Sequence, residues 1–348
     1  HDLGLVAELA DRVVVMYRGK VVEENETKSI FRNPQHPYVK ALIACRPTLE
    51  SPKDHLPTVE DFIGDGAGTP SYSPVHPLQK KNIDGSLPLL EAKKLVVKFH
   101  TDEGPLVAVD HVDLSIEQGK TLGLVVESGS GKTTLGRSIL HLIKPTGGDI
   151  LYRGRIVGPH SFAKRNSLRK SMQIIFQDPY ASLNPRLTVE QTLVEPMIVH
   201  QIGTSMNERL EKTIALLHEV GLGEEHLHRY PHEFSGGQRQ RICVARALTT
   251  EPEFIVCDEC VSAMDVSVQA QVLNLLKSLQ SSRGLTYLFI SHDLSVVKFM
   301  SDHIAVMQKG RILENGPAEQ IYNNPKDGYT RTLIDAIPRA NRSLNLTF

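Results

Sequence analysis

The chain has 348 residues, room for one large domain or two smaller ones, and 40% hydrophobic residues can build a core. Thirty-nine basic against 40 acidic residues leave a net charge of −1, which gives no electrostatic footprint for nucleic acid, and the run from Lys164 to Lys170 reads as a solvated face. No stretch of about eighteen apolar residues could span a bilayer, no secretory signal is visible, and the four cysteines (Cys45, Cys243, Cys257, Cys260) read as reduced structural thiols of a cytosolic chain, with C-x-x-C at 257–260 lacking the second pair a zinc site needs.

The first 42 residues recur. HDLGLVAELADRVVVMYRGKVVE realigns without a gap on HDLSVVKFMSDHIAVMQKGRILE, and IFRNPQHPYVKAL on IYNNPKDGYTRTL, so that His1 faces His292 at an offset of 291. Asp11 then pairs with Asp302, Met16 with Met307, Gly19 with Gly310, Pro34 with Pro325 and Tyr38 with Tyr329. One recurrence at so long a spacing is not a solenoid. It implies two copies of one domain in tandem, with residues 1–45 the tail of a truncated first copy.

Residues 46–88 read as a linker. Pro47, Pro52, Pro57, Pro70, Pro74, Pro77 and Pro88 recur among Gly, Ser and Asp, which disfavours helix and packed strand. Within it, Leu56 to Ile63 (LPTVEDFI) is expected to dock on a neighbour. Residues 89–348 form a complete domain. LEAKKLVVKFH, LVAVDHVDLSI and TLGLVV alternate as antiparallel strands do, ILYRGRIV reads as one more strand, and SMQIIFQ as a strand ending in Gln177. Residues 187–228 turn helical, then come the buried strand EFIVCDE, the helix VQAQVLNLLKSLQ and the strand LTYLFISHD. Strands alternating with helices, with polar residues at strand C-termini, predict an α/β sheet whose site lies at its carboxyl edge.

At that edge TLGLVVESGSGKTT, residues 121–134, reads as strand, phosphate loop and helix. Ser128, Gly129, Ser130 and Gly131 let successive backbone N–H groups converge on phosphate oxygens, and the helix N-terminus adds partial positive charge. Lys132 would reach the β- and γ-phosphates, the Thr133 hydroxyl would ligate magnesium, and Thr134 completes the loop. Val126 stands where such loops usually carry their first glycine. A positive φ there would cost valine roughly 1–3 kcal/mol, whereas an extended backbone would accommodate it. The plainer reading of the loop alone is a Gly-Ser turn before an ordinary helix.

Four signals follow in order: Gln177 within FQDPYASLNPR, FSGGQ at 234–238 followed by RQRICVARAL, Asp258 and Glu259 at the end of FIVCDE, and His292 closing ISHD. The set resembles the ATP-binding-cassette (ABC) ATPases over essentially all of residues 89–348. FSGGQRQR is its most specific part, and FQDPYASLNPR with the doubled NP…Y…L tail is similar to the oligopeptide and dipeptide importer branch, in which two cassettes also share one chain. The resemblance implies the phosphate-loop ABC fold: an antiparallel β subdomain, a RecA-like core and a helical subdomain at about 178–245. It implies ATP and Mg2+ as cofactors. Asp258 would bind magnesium through water, with Thr133 and Gln177 as its other contacts. Glu259 would act as general base on the attacking water, with His292 and Lys132 at the γ-phosphate. Phe99 would stack on adenine, though core filler is the plain alternative. Ser235, Gly236, Gly237 and Gln238 open a helix and would close on ATP held by a partner cassette, with Asp265 at the seam. Cys260 replaces the usual proline, Met264 the leucine of the seam motif, and Lys326-Asp327-Gly328 stands where the first copy has Gln35-His36-Pro37.

The resemblance thus points to the ATP-hydrolysing subunit of an importer for peptides or related solutes, peripheral on the inner face of the cell membrane. Its partners would be integral-membrane permease subunits, a second cassette and, indirectly, a solute-binding protein. The alternatives are a cytosolic ABC ATPase without a transporter, on ribosomes or in a phosphonate-cleaving complex, and a regulatory cassette that Val126 leaves with weak turnover.

Overall fold

A computed structural model describes residues 3–48, 51, 55–63, 88–102, 104–126, 130–157 and 162–336; His1, Ser128, Gly129 and most of the proline-rich linker lie outside them. The chain begins with α1 (Leu3–Leu9), β1 (Arg12–Tyr17), β2 (Lys20–Glu26), α2 (Thr27–Arg32), α3 (Pro37–Ala44) and α4 (Val59–Ile63). Then come β3 (Leu90–Thr101), β4 (Gly104–Ile116), β5 (Thr121–Val126), α5 (Lys132–Ile139), β6 (Gly147–Tyr152), β7 (Arg155–Ile156), α6 (Phe162–Ser171) and β8 (Met172–Ile175). A helical stretch follows: α7 (Pro179–Ser182), α8 (Val189–Val199), α9 (Met206–Glu219) and α10 (Gly236–Leu248). The chain closes with β9 (Phe254–Asp258), α11 (Val266–Arg283), β10 (Thr286–Ser291), α12 (Leu294–Met300), β11 (His303–Gln308), β12 (Arg311–Pro317), α13 (Ala318–Asn323) and α14 (Gly328–Asp335).

A six-stranded sheet, ordered β12-β11-β5-β10-β9-β8, is parallel except for its β12 edge. Both of its faces are covered, so β9 and β10 are buried at every residue and read as continuous apolar runs. Side-chain alternation sends Phe254 and Val256 of β9 to one side, where they meet Leu135 and Ile139 of α5 and Leu95 and Val112 of the antiparallel sheet. Ile255 and Cys257 point to the other side, toward α10, α11 and α12. The second sheet is four-stranded and antiparallel, ordered β4-β3-β6-β7, so α5 lies sandwiched between two sheets.

Three expectations change in detail. TLGLVV does not join the antiparallel strands; as β5 it pairs in parallel with β10 and β11, because a strand buried on both faces carries no alternation by which to tell the two arrangements apart. ILYRGRIV is a hairpin rather than one strand, turning at Arg153 (φ 51°) and Gly154 (φ 70°) so that Tyr152 faces Arg155. The strand before Gln177 ends at Ile175, leaving Gln177 on the loop beyond.

The repeat is visible in three dimensions. The elements α1, β1, β2, α2 and α3 correspond to α12, β11, β12, α13 and α14 at the same offset of 291 residues, with identical lengths. Even the bulge recurs, between Val15 and Met16 in one copy and Val306 and Met307 in the other. Each copy holds its following turn with one carboxylate. Glu23 accepts the N–H groups of Gln35 and His36, and Glu314 those of Lys326 and Asp327. The Leu56–Ile63 segment docks on α11, where Leu56 is fully buried.

Candidate nucleotide site

The site begins where β5 ends. Val126 closes that strand in extended register opposite Met307, so the position does not require a left-handed backbone. The left-handed residue is Gly131 (φ 97°), the N-cap of α5, and a Cβ there would strike the Ala108 carbonyl of β4. Only glycine meets both demands. The loop is braced by the turn after β11 as well: Gly310 N–H donates to the Ser130 carbonyl (3.1 Å), and the Gly310 carbonyl accepts from Asp110 N–H of β4 (2.9 Å).

Three of the anticipated side chains converge on the carboxylate of a fourth, Glu259. Lys132 forms a buried ion pair with Glu259 Oε1. Gln177 Nε2 donates to Glu259 Oε2 (2.8 Å), and His292 Nδ1 lies 3.6 Å from Glu259 Oε1. Glu259 itself has φ 48°, a conformation that costs a non-glycine residue about 1–2 kcal/mol. It is fastened there by its N–H to Ile290 O (3.0 Å) and by the Ser262 hydroxyl and N–H on its own carbonyl (2.9 and 3.1 Å). Strain maintained by that many bonds marks a position where side-chain direction matters.

Asp258 is buried beside it and accepts from the Thr133 hydroxyl at 3.4 Å. Burial pushes its carboxyl above the usual range, while Thr133 and the charge of Arg137 pull the other way. A buried carboxylate and an adjacent hydroxyl, both hard oxygen donors, suit a cation that retains most of its water, as magnesium does. The N-terminus of α5, the left-handed Gly131 and Lys132 likewise fit a polyphosphate.

Ser235 caps α10. Its hydroxyl accepts Gln238 N–H (3.3 Å) and Gln238 Oε1 accepts Ser235 N–H (3.1 Å). Ser235 and Gly236 are exposed, while Gly237 lies so close to α11 that a Cβ would strike Val268. Asp265 caps α11 through Val268 N–H (3.0 Å). Neither cap takes part in the Glu259 cluster. Phe99 is on the exposed end of β3 opposite Leu106, outside both apolar clusters, so it is not core filler.

One linkage was not anticipated. The Arg239 guanidinium, next to Gln238, lies over the Tyr180 ring (4.7 Å), and Arg246 Nη1 donates to the Ser182 carbonyl (2.5 Å). The loop that carries Gln177 is thereby tied to the helix opened by Ser235. The only sequence signal was an aromatic just after Gln177 and an arginine after the SGGQ run, and nothing in their spacing shows that they meet.

Comparison with known proteins agrees with this geometry. Residues 109–262 match the family described as ABC transporter, and residues 22–63 and again 313–347 match the C-terminal region of oligopeptide/dipeptide transporters. The glutathione import ATP-binding protein GsiA of Escherichia coli O157:H7 is 45% identical over 351 residues, covering 99% of this chain and 56% of that protein. GsiA of Salmonella choleraesuis (strain SC-B67) is 44% identical over 352 residues, with the same coverage. The chain thus spans about half the length of these curated relatives. Among solved structures, the dimeric post-hydrolysis state of the ATP-binding cassette MJ0796 bound to ADP and Pi superposes with a TM-score of 0.60 at 27% identity, over 66% of this chain and 98% of that one. CbiO1 from Clostridium perfringens, part of the ABC transporter complex cbiONQ, shares the fold with a TM-score of 0.61 at 23% identity, over 74% and 99%. A phosphate loop, a carboxylate pair and an SGGQ helix on this sheet, joined to that doubled C-terminal region, make this chain a member of the ABC transporter ATPases, in the oligopeptide/dipeptide branch.

Proposed function

We propose that residues 89–348 are one complete cassette that binds magnesium-ATP and hydrolyses it to drive import of a peptide-like solute, and that residues 1–45 are the tail of a first cassette of the same protein. The observation that carries this reading is the convergence of Lys132, Gln177 and His292 on Glu259 beside the Thr133–Asp258 pair. When bound, magnesium would neutralise charge on the β- and γ-phosphates.

The protein's own part follows from position. Loop N–H groups from Ser130 onward and the α5 N-terminus hold phosphate oxygens, and Lys132 exchanges its ion pair with Glu259 for the γ-phosphate. That exchange frees Glu259 to accept a proton from water, while Gln177 keeps its carboxylate aimed and His292 faces the same oxygen. Thr133 and Asp258 supply the oxygens for the cation. Phe99 offers an exposed ring to adenine. The turn from Ser235 to Gln238 faces a nucleotide held by the other cassette, with the Gly236 and Gly237 N–H groups outside the Ser235–Gln238 cap.

No described helix is long and apolar enough to cross a membrane. The partners of this reading are integral-membrane permease subunits. The Gln177–Ser182 loop, with Tyr180 exposed, is the side we assign to them. On this reading the protein works at the inner face of the cell membrane, with a solute-binding protein serving the system from the other side.

Calorimetry with magnesium-ATP tests the site. Micromolar binding is expected in this chain and its loss in Lys132→Ala; equal binding by both would overturn the assignment. In the assembled two-cassette protein, Glu259→Gln should retain ATP and lower turnover by about 10²–10⁴-fold. Turnover equal to the parent's would remove Glu259 as the base.

A further inference from the structure

The first-copy tail is fastened to the complete cassette through a contact that the nucleotide chemistry does not use. The Leu56 N–H donates to Asn274 Oδ1 (2.8 Å), and Asn274 Nδ2 donates to the Leu56 carbonyl (2.8 Å). One amide side chain on α11 therefore pairs with both backbone groups of one residue, as a neighbouring β-strand would. Gln271, nearly one turn earlier, donates Nε2 to Glu60 Oε1 (2.7 Å). Its own Oε1 accepts from Arg241 Nη2 (2.9 Å), and Arg241 Nη1 reaches the Val220 carbonyl after α9 (3.1 Å). Arg241 lies on α10, three residues beyond Gln238.

Apolar packing follows the same path. Cys45 and Leu56 belong to the cluster that contains Ile242 of α10 and Leu273 of α11, and Val59 packs against it. The second copy makes no such contact among the described residues: the position equivalent to Cys45 is Ala336, which is exposed. Helix α10 is thus gripped from two directions, by Tyr180 and Ser182 on the side of the Gln177 loop and by Gln271 on the side of the tail.

We propose that residues 55–63 are a coupling element between the two cassettes, and that Asn274, Gln271 and Arg241 are positioning residues through which the first-copy tail sets the orientation of the SGGQ helix. The partner it serves is the cassette to which that tail belongs. Movement of the tail is passed to α11 by Asn274 and to α10 by the Glu60–Gln271–Arg241 chain, so that Ser235 to Gln238 take up their angle toward the other cassette's nucleotide. The proposal rests on the two-cassette reading above, but its first test does not depend on ATP hydrolysis.

That test is amide hydrogen exchange on this chain without nucleotide. Gln271→Glu keeps an acceptor for Arg241 but sets a carboxylate against Glu60. It should raise exchange about tenfold in residues 236–248, not only in 55–63. Combining it with Glu60→Gln restores an amide–carboxylate pair with the roles exchanged, and exchange in 236–248 should return to within about twofold of the parent. Asn274→Ala should act like Gln271→Glu. If 55–63 loosens in the single variants while 236–248 stays as in the parent, the contact is local packing and the proposal fails. It fails equally if the exchanged pair is as loose as Gln271→Glu alone.

The second readout is steady-state hydrolysis in the assembled two-cassette protein. Gln271→Glu should lower kcat several-fold with KM for ATP within about twofold, because nucleotide binding is intact and only the closing surface is misaligned. Unchanged kcat would overturn the coupling role. A parent without ATPase activity would instead defeat the reading of function and leave the exchange result standing.

Discussion

The two copies of the tail have the same elements, lengths and bulge, yet one is core and the other rim. In the second copy β11 pairs with β5 inside the large sheet, and α12 packs on β5 and β10. In the first copy β1 has β2 as its only strand partner among the described residues. Ala305 and Met307 are fully buried, whereas the matching Val14 and Met16 are 51% and 59% exposed. What survives in both is local: the strand-to-helix turn, the carboxylate that holds it, and the α2 and α13 helices. The module's internal hydrogen bonds suffice to specify its shape, and its surroundings decide how much that shape is worth in stability.

The comparison can be broken most sharply with a charge at one equivalent pair. Ala305→Asp places a carboxylate in the sheet interior and should cost at least about 3 kcal/mol in urea unfolding, whereas Val14→Asp should stay within about 0.5 kcal/mol. Equal costs would mean that the first copy is buried after all.

A chemical probe at the next pair reverses the contrast. Burial, reinforced by Glu60, Asp61 and Asp265, pushes the Cys45 thiol up to about 12. An acid whose folded value is raised holds only a trace of its anion well below that value, so alkylation of Cys45 should be slow throughout pH 7 to 9 and still rising about tenfold per pH unit at pH 9. In Ala336→Cys the exposed thiol should react about a hundredfold faster at pH 8, and its rate should climb through the ordinary cysteine range near 8.5. Mass-spectrometric mapping of the adducts would show it. Comparable rates would mean that the α4 segment does not cover Cys45.

The smallest expected effect concerns the turn carboxylates. Glu314→Ala removes a buried carboxylate that accepts from two N–H groups and should cost about 1–3 kcal/mol, whereas Glu23→Ala, where the carboxylate is only half-buried and water can substitute, should cost under about 1 kcal/mol. Denaturant midpoints at constant slope would measure both. A larger loss from Glu23→Ala would show the first copy to be the more constrained of the two.

Much of the candidate nucleotide site was legible as a grouping of residues because these residues sit at strand ends, and buried strands advertise themselves. Asp258 and Glu259 follow FIVC, and His292 follows LFIS. The order of these residues could be read without knowing the sheet. The strand order itself could not, since β5, β10 and β9 are apolar on both faces and any neighbour would satisfy them. The hairpin of β6 and β7 was hidden because Arg153-Gly154-Arg155 interrupts an apolar run by only three residues. The grip of Asn274 on Leu56 was invisible for another reason: one amide in an otherwise amphipathic helix looks like surface until its partner, 218 residues away, is in place. Val126 raised a question that only backbone geometry could answer, and the answer is an extended strand end.

The Ala108 carbonyl, lying where a side chain on Gly131 would be, has a mechanical consequence. The hairpin of β3 and β4 and the turn into α5 share a contact with no slack, so neither can shift without the other. Phe99 is on that same hairpin. A nucleotide whose base met Phe99 and whose phosphates met the loop would have both ends gauged by one stiff body. Its length would then be read as a ruler reads a rod, and a ligand too short or too long would be refused before any chemistry began.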